Sequence, residues 1–152
     1  MLAGLSEAGV AYVVIGGVAA TIHGSARVTN DLDVCYDQCE ENVRRLAALL
    51  ASWDAYPWQW PAELPFTMDV RTFRTTPTMT LATSQGRIDV LHRVEPIGDF
   101  AACRAVSTDE SAFGRTVPTL DLAPLIQAKR YANRPKDRDA LPELEAILAK
   151  TR

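Results

Sequence analysis

Residues 13–34 read VVIGGVAATIHGSARVTNDLDV, and the structure expected for the whole chain follows from this stretch. The β-branched run that ends at Ile15 is too short for a helix and predicts a buried strand. Gly16 and Gly17 follow directly, and glycine lets the backbone turn sharply and lets a ligand approach the main chain. A short helix is expected next, over 18–23, with its free N–H groups pointing at the turn. The stretch therefore predicts an anion-binding turn between a strand and a helix.

Asp31 and Asp33 lie two residues apart at the start of a second predicted strand, 31–36. Because side chains alternate along a strand, both carboxylates face the same side of the sheet. Bound phosphates on one side and two neighbouring carboxylates on the other imply a divalent metal ion between them. The arrangement is typical of a site for phosphoryl or nucleotidyl transfer.

The ordered combination of these motifs resembles the signature of the nucleotidyltransferase superfamily. That signature has an apolar residue, a Gly-Gly or Gly-Ser pair, a spacer, and then Asp–apolar–Asp/Glu–apolar. Here residues 15–17 (Ile-Gly-Gly) are followed by thirteen residues, 18–30, and then by 31–34 (Asp-Leu-Asp-Val). The resemblance implies a nucleotidyltransferase-like fold, Mg²⁺ or Mn²⁺ on the two aspartates, and an NTP as substrate.

A third acidic residue, Asp89, stands inside the apolar run of a later predicted strand. Residues 78–83 and 87–92 have the composition of strands, and the turn between them contains Gly86, which predicts a hairpin. Burying a carboxylate within a strand is costly unless it is paired or bound to a metal ion. The resemblance assigns Asp89 as the third metal-binding carboxylate and as the catalytic group that faces the acceptor hydroxyl. An exposed hairpin aspartate is the alternative.

Candidate phosphate-binding residues lie on both sides of the paired acids. Arg27 is the only charged residue of the loop 25–30, so it could hold a phosphate or brace a catalytic carboxylate. The resemblance supports this interpretation, because related sequences carry an Arg and a Thr before the acids, as Arg27 and Thr29 do here. It also implies that Lys129 binds the nucleotide phosphates, with Lys136 as a weaker assignment.

The segment 127–138 carries five cations against a single acid, Asp137, although the net charge of the chain is −3. A basic strip in an acidic protein could complement a triphosphate or a short piece of RNA, whereas the overall acidity opposes a general polyanion-binding surface. The resemblance implies that Asp137 helps to complete the site. A solvated helix face is the alternative for the strip.

All three tryptophans lie between Trp53 and Pro61, in a segment that also contains two prolines. The prolines and the density of rings predict a loop or a surface lid rather than a regular element. Such a segment could stack a nucleobase or receive a partner protein, or its rings could pack across the sheet.

The rest of the chain predicts a mixed order of strands and helices that ends in helices. Helices are expected over 2–8, 40–52, 98–106 and 120–133 and from Pro135 onward, with a short strand within 112–119. This order suits an α/β (α+β) fold with a small mixed β-sheet flanked by α-helices, as a single domain over 1–152. Three cysteines without zinc spacing, no signal peptide and no membrane-length apolar run predict a cytoplasmic protein.

The expected function is the Mg²⁺-dependent transfer of a nucleoside monophosphate from an NTP to a hydroxyl group on a protein or an RNA end. The hairpin motif Thr-x-x-Gly-Arg-Ile-Asp-Val-Leu and the segment 129–137 resemble the small nucleotidyltransferases of bacterial toxin–antitoxin and abortive-infection systems. That resemblance implies a cognate toxin or antitoxin protein as a partner. The open alternatives are a small-molecule acceptor, as in antibiotic nucleotidyltransferases, and a catalytically silent module that binds NTP or a partner. A dinucleotide-binding fold is disfavoured because Val18 breaks the Gly-x-Gly-x-x-Gly pattern.

Overall fold

A seven-stranded sheet forms the centre of the computed structural model, which describes residues 1–152. The strands in chain order are β1 (Tyr12–Ile15), β2 (Asp31–Tyr36), β3 (Tyr56–Pro57), β4 (Met79–Thr83), β5 (Gly86–Leu91), β6 (Arg93–Val94), β7 (Gly98–Asp99), β8 (Ser107–Ala112) and β9 (Arg115–Leu120). The sheet has the order β3-β4-β5-β2-β1-β9-β8, and β6 and β7 form a separate two-stranded ribbon. The β2–β5 and β1–β9 pairs are parallel and the other pairs are antiparallel, so the sheet is mixed, as predicted.

Helices pack against this sheet and bury its apolar side chains. The helices are α1 (Leu2–Glu7), α2 (Gly16–Ile22), α3 (Glu40–Ser52), α4 (Val70–Thr75), α5 (Phe100–Ala105), α6 (Leu122–Ala132) and α7 (Pro135–Thr151). Every residue of β1 is buried, and α3 buries Leu46 and Leu50 on its inner face. Leu125 of α6 and Leu144 of α7 join the same apolar cluster. Each fully buried leucine contributes about 1.5–3 kcal/mol, which fixes the helices against the sheet.

Most of the predicted elements are confirmed. The strand over 31–36 and the helix over 40–52 match β2 and α3 residue for residue. The hairpin predicted around Gly86 is formed by β4 and β5, which pair antiparallel. The first helix ends at Glu7, and Gly9 follows with φ +69°, the left-handed conformation that closes many helices.

Three predictions about the elements need correction. α2 begins at Gly16 and not at Val18, because φ +65° at Gly16 lets the chain leave β1 and enter the helix at once. The segment 53–61 is not wholly irregular, since β3 pairs with β4 at the sheet edge, where proline is tolerated. The helix predicted over 98–106 starts only at Phe100, because Asp99 caps its N-terminus: Asp99 Oδ1 accepts a hydrogen bond from Ala102 N at 3.1 Å.

Two elements carry no clear signal in the sequence. β8 reads Ser-Thr-Asp-Glu-Ser-Ala and lies at the edge of the sheet, where polar side chains replace the usual apolar alternation. α4 has only six residues, too few for a periodic pattern. None of the helices combines the length and apolarity that a membrane span requires.

Candidate active site

Three carboxylates meet in one cleft. Asp31 and Asp33 project from β2, and Asp89 lies on β5 directly opposite Asp33 in the parallel pairing of the two strands. One carboxylate oxygen from each residue lies within 4.8 Å of the others, and all three side chains are partly buried. We call these residues the acidic triad. The structure therefore brings together the three acids that the sequence singled out.

The acidic triad fits a divalent cation such as Mg²⁺ or Mn²⁺. Burial raises the pKa of Asp33 to about 7, helped by a hydrogen bond with Asp89 and by the negative charges of Asp31 and Asp89. Asp89 Oδ1 is buried and has no hydrogen-bond partner. Carboxylate oxygens are the ligands that such hard cations prefer, and a cation would relieve both the repulsion and the unpaired oxygen.

The glycine pair packs directly against the acids. A Cβ on Gly16 would overlap Asp33 Oδ2 and lie 2.8 Å from Asp33 Cγ. A Cβ on Gly17 would lie 2.6 Å from Thr29 Oγ1, whose hydroxyl donates to Asp31 Oδ1 at 3.2 Å. Glycine at these two positions therefore allows the start of α2 to approach both the triad and the residue that orients it.

The loop that leads into β2 is attached to α7. Glu143 accepts hydrogen bonds from Ser25 Oγ and from Ala26 N, each at 2.8 Å. Arg27 lines the cleft, and its Nη1 donates to the carbonyl of Asp139 at 3.2 Å. Arg27 thus bonds the backbone of α7 and forms no ion pair with the triad, so it does not brace a carboxylate here.

The basic strip divides into two groups. Lys129, Arg134 and Lys136 line the cleft of about 740 Å³ that also contains the acidic triad. Arg130 faces away and pairs with Glu145 at 2.6 Å. The remaining cation, Arg138, donates to the carbonyl of Asn133 at the end of α6. The solvated-face alternative thus describes only part of the strip.

Asp137 is a buried counter-ion for the cations of the cleft. Its carboxylate is fully buried and accepts hydrogen bonds from Arg134 Nε at 2.6 Å and from Lys129 Nζ at 3.5 Å. Burial acts to raise the pKa of Asp137, but the hydrogen bonds and charge of Arg134, with the charge of Lys129, outweigh it and lower that pKa. Asp137 therefore fixes the two cations at the rim of the cleft.

Arg87 is a residue of the cleft that was not among the predicted site residues. It lies opposite Asp31 in the β2–β5 register, with Nη2 at 4.0 Å from Asp31 Oδ2 and Nε at 3.8 Å from Asp89 Oδ1. Its guanidinium carbon is 4.9 Å from the centre of the Trp58 ring. The signal was present in the sequence, because Arg87 stands two residues before Asp89 and a strand places both on one face.

Comparison with known proteins identifies the fold. No protein-family model matches the chain, and no curated protein matches it. TM1012 from Thermotoga maritima, described as a putative nucleotidyltransferase, superposes with a TM-score of 0.59 at 15% identity, over 93% of this chain and 86% of that one. ANT(2″)-Ia in complex with adenylyl-2″-tobramycin superposes with a TM-score of 0.59 at 15% identity, over 98% of this chain and 91% of that one. The solution structure of the antibiotic-resistance factor ANT(2″)-Ia also has a TM-score of 0.59 at 15% identity, over 99% of this chain and 86% of that one. The chain has a nucleotidyltransferase-like fold, as its motifs predicted.

Proposed function

We propose that this protein is a metal-dependent nucleotidyltransferase that moves a nucleoside monophosphate from an NTP to a hydroxyl acceptor. The observation that carries the proposal is the acidic triad, with its oxygens within 4.8 Å of one another beside the glycine pair. Solved structures with this fold include ANT(2″)-Ia in complex with adenylyl-2″-tobramycin, which supports the same type of reaction here.

The roles of the residues follow from their positions in the cleft. Asp31, Asp33 and Asp89 would hold Mg²⁺ or Mn²⁺, which supplies neutralisation of the triphosphate charge. Asp89 would also accept the proton of the attacking hydroxyl, because its carboxylate lies in the cleft beside the other two acids. The hydroxyl oxygen forms the new bond to the α-phosphorus, and pyrophosphate leaves with the electrons of the broken bond.

The cations at the rim would bind the nucleotide. In this proposal the backbone of Gly16 and Gly17, which lines the cleft at the start of α2, would face the phosphates, and Arg27, Lys129 and Lys136 would provide charge along the cleft. Thr29, expected to assist phosphate binding, would also orient Asp31 through its hydroxyl. Most of the rate enhancement would come from positioning and charge neutralisation.

Two classes of acceptor are proposed for this reaction. The sequence resemblance to toxin–antitoxin nucleotidyltransferases favours a hydroxyl on a protein or an RNA end, with a cognate toxin or antitoxin in the same cytoplasm. A small-molecule acceptor is the second candidate, because ANT(2″)-Ia matches nearly the whole chain and was determined with a nucleotidylated antibiotic.

The test is the transfer of label from each α-phosphate-labelled NTP, with Mg²⁺, into cell RNA, cell protein and a panel of small hydroxylated compounds. We expect label in one of these pools with the wild-type protein and none with Asp33→Ala, which removes one carboxylate of the triad and should leave the fold nearly intact. The pool identifies the acceptor class. Label that persists in Asp33→Ala contradicts the assignment of the triad. Tight NTP and Mg²⁺ binding without transfer favours the silent binding module.

A further inference from the structure

Arg87 and Asp89 contain the two buried side-chain atoms that lack a hydrogen-bond partner, Arg87 Nε and Asp89 Oδ1. The two atoms have opposite charge and lie 3.8 Å apart, just beyond hydrogen-bonding distance. Buried polar groups are nearly always paired, and leaving a charged one unpaired is costly. A small movement of Arg87 would complete this bond, so another contact must hold the guanidinium back.

Trp58 provides that contact. Its ring covers the Arg87 guanidinium at 4.9 Å, a distance at which a cation is attracted to an aromatic face. The backbone of Trp58 is itself fixed, because its N–H donates to the carbonyl of Thr80 on β4 at 2.9 Å. Trp58 lies in the turn that follows β3 and is not itself a lining residue of the cleft, so it contacts the site only through Arg87.

We propose that Trp58 is a positioning residue that holds Arg87 back from Asp89 and Asp31. Arg87 then lies close enough for its positive charge to offset the repulsion among the acids, but it does not occupy the position of the cation. This inference rests on the proposed function. Arg87 contacts both acids from 3.8 and 4.0 Å, close enough to offset their mutual repulsion. Because Nε stays off Asp89 Oδ1, that oxygen keeps a free lone pair for a metal ion.

The proposal predicts changes of opposite sign for the two residues. Arg87→Met removes a positive charge beside the metal position, so Mn²⁺ should bind about tenfold more tightly, since charge repulsion at short range is strong. Trp58→Ala removes the restraint and lets Arg87 close on the acids, so Mn²⁺ should bind about two- to fivefold more weakly. The double variant should bind Mn²⁺ as tightly as Arg87→Met, because Trp58 acts only through Arg87.

The experiment is a titration of each purified variant with Mn²⁺, followed by electron paramagnetic resonance of the free ion, without nucleotide. Trp58→Phe keeps an aromatic face and should restore near wild-type affinity. Trp60→Ala and Arg44→Met are the matched controls, since Trp60 packs on Tyr56 and Phe66, and Arg44, outside the cleft, pairs with Glu40 at 2.7 Å. Melting temperatures establish that every variant is folded.

Two results would overturn the proposal: both single variants shifting Mn²⁺ affinity in the same direction, or Trp58→Ala keeping its effect in the Arg87→Met background. A wild-type protein that binds no Mn²⁺ overturns it together with the metal site of the proposed function. Opposite shifts in Mn²⁺ affinity without label transfer to any acceptor support the role of Arg87 and contradict only the proposed transferase activity. The two failures are therefore distinguishable.

Discussion

Replacing Gly16 by alanine should disable cation binding at the acidic triad while costing the fold only slightly more than a matched substitution elsewhere. Gly16 has φ +65°, and Gly114, in the turn between β8 and β9, has φ +73°. An alanine in this left-handed region costs about 1–2 kcal/mol. Gly114→Ala measures that backbone cost alone, because nothing lies within 4 Å of its Cβ position.

At Gly16 a steric cost is added to the backbone cost. The new Cβ would overlap Asp33 Oδ2 and lie 2.8 Å from Asp33 Cγ, so the carboxylate must rotate away. Forcing a side chain off its preferred rotamer costs about 0.5–1.5 kcal/mol. We therefore expect Gly16→Ala to lose about 1.5–3.5 kcal/mol of unfolding free energy against about 1–2 kcal/mol for Gly114→Ala. For a chain of this length, each kcal/mol lowers the melting temperature by about 2–4 °C.

The effect on the site should be much larger than the effect on the fold. Displacing groups that orient a metal ligand typically weakens metal binding by about 10–100-fold, and here a ligand itself is moved. The assay is a Mn²⁺ titration of the wild type, Gly16→Ala and Gly114→Ala, with melting curves measured on the same samples. The reasoning is refuted if Gly16→Ala binds Mn²⁺ as tightly as Gly114→Ala.

Three further predictions concern titration and the loop before β2. Burial and the neighbouring acids raise the pKa of Asp33 from 3.8 to about 7, so ionising Asp33 costs stability as pH rises through this range. Without metal, Asp33→Asn should therefore melt at a higher temperature than the wild type at pH 8 and at the same temperature near pH 4; an equal difference at both pH values contradicts the raised pKa. The lowered pKa of Asp137 has the opposite sign, so its pairing with Arg134 stabilises the fold above about pH 4 and is lost on acidification. By urea unfolding, Asp137→Asn should cost about 1.5–3 kcal/mol at pH 7 and less near pH 2, because Arg134 stays largely exposed when its partner is removed; an unchanged cost rules out this pairing. Glu143→Ala should speed the hydrogen exchange of the Ala26 amide, which loses its acceptor, and unchanged exchange there would mean that α7 does not hold the loop.

The strand and helices around the site can be predicted from short stretches of sequence, because strand alternation and helix periodicity involve residues only a few positions apart. The spacing of Asp31 and Asp33 places both carboxylates on one face of β2, since side chains alternate along a strand. The amphipathic spacing over 40–52 predicts α3 to the residue, because a helix of that length repeats its apolar face several times. The polar edge strand β8 offers no such repeat, and its formation depends on pairing with β9.

The functions of the individual cleft residues are less readable, because they depend on partners far apart in the chain. Asp137 was expected to help complete the nucleotide site, which stays a prediction, and its contacts are with Arg134 and Lys129, beneath which its carboxylate is buried. Arg27 was expected to hold a phosphate or brace a carboxylate, and its guanidinium bonds the carbonyl of Asp139. Both contacts arise where α7 returns to the sheet, and neither has a signature within a short window of sequence.

The sequence by itself determined the strand, glycine pair and helix at the start of the fold and the two carboxylates that share one face of β2, because each depends on neighbours a few residues apart. Only the tertiary structure decided that β5 pairs in parallel with β2 in the register that sets Asp89 opposite Asp33 and Arg87 opposite Asp31. A shift of one residue would turn Asp89 to the other face of the sheet, and that register is set by packing of the whole core. The same packing brings Trp58 over Arg87, a contact between residues that no local pattern connects.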